Sequence, residues 1–222
     1  MSTVLFWHIF AILSYMKPLS LSKPHLIVMV GIPGAGKSTF AEHFAETFKA
    51  LLVSSSVIEK ELGPEAGRAV AQKAANFFLD QLFLTDATIV YDGTSDTRTE
   101  RQELARRARA AGYTPIFVWV QTDPVEAHHR ATRRGGLSDA EYDARLRRFS
   151  VPHSSENVVV ISGKHTYSSQ LKIVLKRLSE THKIAVSTRP VAPARPEGQV
   201  TPEAPTRAEQ PDRPRNRNIM IR

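Results

Sequence analysis

The chain has 222 residues, enough for one sizeable core, and 41% of them are apolar, which fits a globular protein with an added polar segment. It contains no cysteine, which excludes disulfides, thiolate chemistry and Cys-based zinc sites, and its eight histidines include no H-x-x-x-H pair. The formal net charge is +8, and half of it falls in the last 42 residues, where eight Lys and Arg stand against four Asp and Glu.

In chain order, Val4 to Leu13 form a ten-residue apolar run interrupted by His8. A bilayer crossing takes about 20 residues, and no basic residue precedes the run as a signal peptide would require. Residues 1–24 therefore read as a leader or a short helix, with Met16 as an alternative start, and the expectation is a cytoplasmic protein without a transmembrane span. His25 to Val30 is a β-branched strand, followed by a glycine loop and a helix from Lys37 to about Lys49. Leu51 to Val53 is a short second strand, and Pro64 opens a helix to about Leu84. Ala87 to Tyr91 is the third strand, ending at Asp92.

Thr97 and Glu100 form a capping box for the next helix, which Gly112 closes. Ile116 to Val120 is the fourth strand, and Pro124 starts a helix that Gly135-Gly136 breaks. Ser138 opens a short helix to about Phe149, Val158 to Ile161 is the fifth strand, and Tyr167 to Ser179 the closing helix. Continuously apolar strands alternating with helices predict an α/β fold, a three-layer α/β/α arrangement around a five-stranded parallel sheet. The domain is expected over residues 25–183. The Pro- and Arg-rich stretch 184–222 is too polar to offset its ordering entropy, which predicts a disordered tail. Its run Arg213, Arg215, Arg217 is either solubilising or a contact for nucleic acid or another polyanion.

Gly31-Ile32-Pro33-Gly34-Ala35-Gly36-Lys37-Ser38-Thr39 matches the phosphate-loop (Walker A) pattern in full, between a strand and a helix. Its glycines let the backbone curl around phosphate oxygens, and the helix adds its positive pole. Lys37 is expected on the β- and γ-phosphates, and the Ser38 hydroxyl on Mg²⁺. Asp92, at the same sheet edge, is the second expected Mg²⁺ ligand; the competing reading is a turn aspartate capping Thr94. No Asn-Lys-x-Asp motif is present to read guanine, so ATP is the expected nucleotide.

With these motifs in place, residues 25 to about 180 resemble the small P-loop kinases of the "AAA family ATPase" type, relatives of polynucleotide 5'-hydroxyl kinases and zeta-toxin-type kinases. The resemblance rests on Gly31–Thr39, on Asp92-Gly93-Thr94-Ser95 followed by Arg98 and Arg101, on Ala110-Ala111-Gly112-Tyr113, and on Thr122-Asp123-Pro124 with Arg130, Arg133 and Arg134. It implies a lid that brings Arg130 and Arg134 onto the transferring phosphoryl group, where guanidinium groups offset spread charge. A solvated basic helix end is the alternative. Arg98 and Arg101 read either as a clamp on an acceptor phosphate or as surface charges.

One stretch departs from the family pattern. Kinases of this type read Ser-x-Asp-x-x-Arg after the second strand, whereas Ser54-Ser55-Ser56-Val57-Ile58-Glu59 has Ser56 in place of the base and Glu59 in place of the arginine. A serine hydroxyl accepts no proton at neutral pH. Three readings follow: a kinase acting on a nucleic-acid 5' end or a small hydroxyl compound, with Asp92 or Glu59 substituting; a degenerate kinase that binds or hydrolyses ATP as a switch or interaction protein; and a shifted motif. A nucleic-acid module using the basic tail is a further alternative.

Overall fold

The computed structural model describes residues 23–63 and 65–187; the side chains of residues 134, 135 and 181–187 lie outside the described set. The expectations for the leader and for the chain beyond Ser187 also fall outside it. The order is β1 (His25–Val30), α1 (Lys37–Phe48), β2 (Leu51–Ser54), α2 (Ser55–Leu62), α3 (Gly67–Leu82), β3 (Ile89–Asp92), α4 (Arg98–Ala110), β4 (Thr114–Gln121), α5 (Pro124–Gly135), α6 (Asp139–Arg148), β5 (Val158–Ser162) and α7 (Tyr167–Ser187).

The five strands form one parallel sheet in the order β2-β3-β1-β4-β5, as the apolar strand pattern predicts. Every residue of β1 is buried, because the strand is central and covered on both faces. Period-two alternation divides its side chains between two cores. Ile27 and Met29 join Phe40 and Phe44 of α1 and Val174 and Leu178 of α7. Leu26, Val28 and Val30 join Ala75 and Leu79 of α3 and Leu104 and Ala108 of α4. The chain leaves β1 toward β2 and β3 and then crosses to β4 and β5. The loop after β1 therefore lies at the switch point of the sheet, the place where open α/β sheets bind ligands.

Three elements differ from expectation. The Ser54-Ser55-Ser56 stretch opens a helix of its own, α2, because Ser54 stays extended and its Oγ accepts from Val57 N at 3.5 Å as an N-cap. The following helix begins at Gly67 instead of Pro64. The last helix continues past Ser179 to Ser187, since no glycine or proline interrupts it before Pro190.

Candidate active site

The loop after β1 is shaped by glycines held at positive φ. Gly31 has φ +147°, and an added Cβ would stand 2.7 Å from Val120 O. Gly34, at φ +78°, is tighter still, with its Cβ position 2.0 Å from Ala127 O in α5. Gly36 caps α1 in the left-handed region at φ +103°, and a Cβ there would meet nothing within 4 Å, so the front of the loop is open. Gly34→Ala combines a strained φ with a backbone overlap, which is expected to cost about 1–3 kcal/mol. A lowered urea midpoint together with loss of Mg-ATP binding checks this.

Lys37 folds back over its own loop, its Nζ donating to Gly31 O at 2.7 Å and to Ile32 O at 3.0 Å. Burial pushes its pKa down from the ordinary lysine value, and the nearby carboxylates of Asp92 and Asp96 push back. An ammonium held this way gains from an incoming phosphate, which supplies the charge that burial makes it lack. Next to it, Ser38 Oγ donates to Asp92 Oδ2 at 2.6 Å. Asp92 is buried at the C-terminal end of β3, beside Ser54 in the parallel register.

The competing role of Asp92 as a cap for Thr94 does not occur. Thr94 N donates instead to Gln72 Oε1 at 3.1 Å, and Gln72 Nε2 donates to Tyr91 OH at 2.6 Å. This network ties α3 to the turn after β3 and leaves the Asp92 carboxylate to Ser38. Two hard oxygen donors side by side, next to a lysine and a glycine cradle, fit a Mg²⁺ ion that shares its shell with phosphate oxygens. Among the described residues no three His, Cys, Asp or Glu side chains gather into a self-contained metal site.

The loop faces a cleft of about 1620 Å³. A family model described as an AAA domain matches residues 26–152, from β1 to just beyond α6. The chain belongs to this AAA domain family. No curated protein matches it. A gluconokinase from Sinorhizobium meliloti 1021 shares 15% identity at a TM-score of 0.58, over 77% of this chain and 100% of that one. A sugar kinase from Janibacter sp. HTCC2649 shares 18% at a TM-score of 0.53, over 75% of this chain and 99% of that one. Kti12 from Chaetomium thermophilum, solved with ADP-AlF3, shares 15% at a TM-score of 0.54, over 68% of this chain and 96% of that one. At these identities the likeness shows the fold alone, and that fold is P-loop kinase-like.

The AAA domain brings some of the expected site residues together and separates others. Gly34, Ala35, Gly36, Lys37, Ser38 and Thr39 line the cleft with Asp92, and Arg130 and Arg133 stand on its wall. Arg130 is engaged there, pairing with Glu126 one turn earlier and donating to Gly163 O at 3.3 Å. Arg134 belongs to α5, but its side chain lies outside the described set. Arg98 is exposed at the start of α4 and is not among the residues lining the cleft; its backbone N donates to Ser150 Oγ at 2.8 Å.

Arg101 is a correction. It is fully buried, and it pairs with Glu156 at 2.6 Å while Nη1 donates to Ser95 O and Asp96 O, each at 3.1 Å. A guanidinium with its hydrogen bonds committed inside the core cannot reach an acceptor. It fixes the turn that carries Asp92 to Asp96.

On the departing stretch, Ser56 Oγ and Ser54 Oγ are hydrogen-bonded at 3.0 Å, and Glu59 lines the cleft beyond them. Five more charged residues line it that sequence reading did not single out: Lys60 of α2, Arg68 of α3, Asp96, and Glu141 and Arg145 of α6.

Proposed function

We propose that this AAA domain protein is an ATP-dependent phosphotransferase that moves the γ-phosphate to a hydroxyl acceptor. The observation that carries the reading is the Ser38 Oγ–Asp92 Oδ2 contact at 2.6 Å directly beside Lys37, all on the wall of an open cleft. In this reading the glycine loop wraps the phosphates, and Lys37 leaves its two loop carbonyls for the β- and γ-phosphates. Ser38 and Asp92 would hold Mg²⁺, which when bound would offset the negative charge of the phosphates. Arg133, which makes no ion pair among the described residues, is free to meet charge on the transferring group, and Arg130 braces the loop at Gly163. Arg134 extends the same basic helix end. The turn from Gly163 to Tyr167 lies along the nucleotide's other end, and ATP is preferred because no guanine-reading motif is present.

A second reading has its own observation. With Ser56 tied to Ser54, the position after β2 holds no proton acceptor, as in a kinase turned nucleotide-operated switch. Incubation of the full chain with γ-labelled ATP, Mg²⁺, nucleic acids bearing 5'-hydroxyl ends and small polyols separates the two. Metal-dependent movement of label to a hydroxyl is the expected result. Tight Mg-ATP binding without any loss of the γ-phosphate would leave only the switch.

A further inference from the structure

We propose that Arg68, Arg145 and Asp96 form an acceptor subsite that takes a hydroxyl compound carrying a phosphate or carboxylate group. This rests on the phosphotransferase reading and names the substrate class it needs. The sheet order decides which end of the cleft is concerned: β4 and β5 lie on one side of the phosphate loop, β3 and β2 on the other. Arg130 and Gly163 belong to the β5 side. Asp96 follows β3, and Arg68 opens α3, which packs against β2.

Arg145 is half-buried, and Arg68 lies close enough to act on its charge. Burial pushes the Arg145 pKa down and Arg68 adds to this, while Glu141, Asp96 and Glu59 push back. None of the three carboxylates is at ion-pair distance, so among the described residues neither guanidinium carries a hydrogen bond or an ion pair. Two like charges that line one cleft with their donors unused are relieved by an anion bound there. Both arginines line the same cleft as Lys37 and Ser38.

Asp96 supplies the proton acceptor that Ser56 does not. Its backbone carbonyl is clamped by Arg101 at 3.1 Å and by Ser150 N at 2.9 Å, while no hydrogen bond among the described residues reaches its carboxylate. It acts electrostatically on both Lys37 and Arg145, whereas Glu59 acts on Arg145. Asp96 lines the cleft together with Lys37, Arg68 and Arg145. In the transfer, the acceptor oxygen bonds to the γ-phosphorus and the bond to the β–γ bridging oxygen breaks. Its electron pair leaves with ADP, and the hydroxyl proton passes to the Asp96 carboxylate.

The test uses the full chain saturated with Mg²⁺ and AMPPNP, titrated with inorganic phosphate in a calorimeter. One saturable phosphate site is expected, weakened at least about tenfold in Arg68→Ala and in Arg145→Ala, with AMPPNP affinity kept within about twofold. Asp96→Asn is expected to keep or tighten phosphate binding while lowering ATP turnover about 100-fold. The proposal is overturned if phosphate does not bind, if it binds the arginine variants equally, or if those variants lose AMPPNP instead. Unchanged turnover in Asp96→Asn removes the base. A wild-type chain that binds no Mg-AMPPNP defeats the phosphotransferase reading itself, and the proposal with it.

Discussion

Lys37→Ala is expected to lower ATP turnover by about 10²–10³-fold, the usual loss when one preorganised donor to a developing negative charge is removed. The lysine reaches across its own loop to Gly31 O and Ile32 O, and in the proposed reading it turns from them to the phosphates. A water molecule in its place brings no net charge. The fold should tolerate the change. Burial already disfavours the charged lysine, so removing its ammonium takes away a group that the fold holds against a desolvation penalty. Steady-state turnover with labelled ATP checks the first part, and a urea midpoint close to that of the wild type checks the second. A variant that keeps its turnover would mean that the phosphates lie elsewhere.

Arg101→Ala acts the other way, on stability. It leaves Glu156, whose side chain is 8% exposed, without its partner, and it strips donors from Ser95 O and Asp96 O. Breaking a buried pair by removing one member costs about 3–5 kcal/mol. With a urea slope of about 1–3 kcal/mol/M, the midpoint should fall by at least about 1 M. Burial pushes the Glu156 carboxyl up, but hydrogen bonds from Arg101 and from His153 N outweigh it and hold the pKa below the usual value. Its contribution is therefore present above about pH 4.3 and fades as pH falls through the lowered folded value. An Arg101→Ala variant with an unchanged urea midpoint and only weaker acceptor binding would restore the clamp role.

The parts of this molecule that could be read from its residues are those set by local spacing. The phosphate loop needs eight consecutive positions between a strand and a helix, and the sheet follows from apolar runs separated by helical stretches. Asp92 was legible because it ends a buried strand at the same edge as the loop. Arg101 was misplaced although its helix carried the signal. Leu104, Ala105 and Ala108 follow it at i+3, i+4 and i+7, which puts Arg101 on the buried face of α4. Arg68 and Arg145 left no such trace. They come from α3 and α6, far apart in sequence, and share a cleft only because both helices border it. The helix α2 was hidden for another reason, since a run of three serines reads as a loop until one of them serves as its cap.

In the proposed function, the cleft in front of Gly31–Ser38 is a magnesium-dependent ATP site. Calorimetric titration of ATP into the full chain, with Mg²⁺ and then with EDTA, addresses it most directly. One saturable site is expected, weakened at least about tenfold when the metal is withdrawn, as hard-oxygen ligation by Ser38 and Asp92 alongside phosphate requires. No saturable binding, or binding indifferent to the metal, would contradict it.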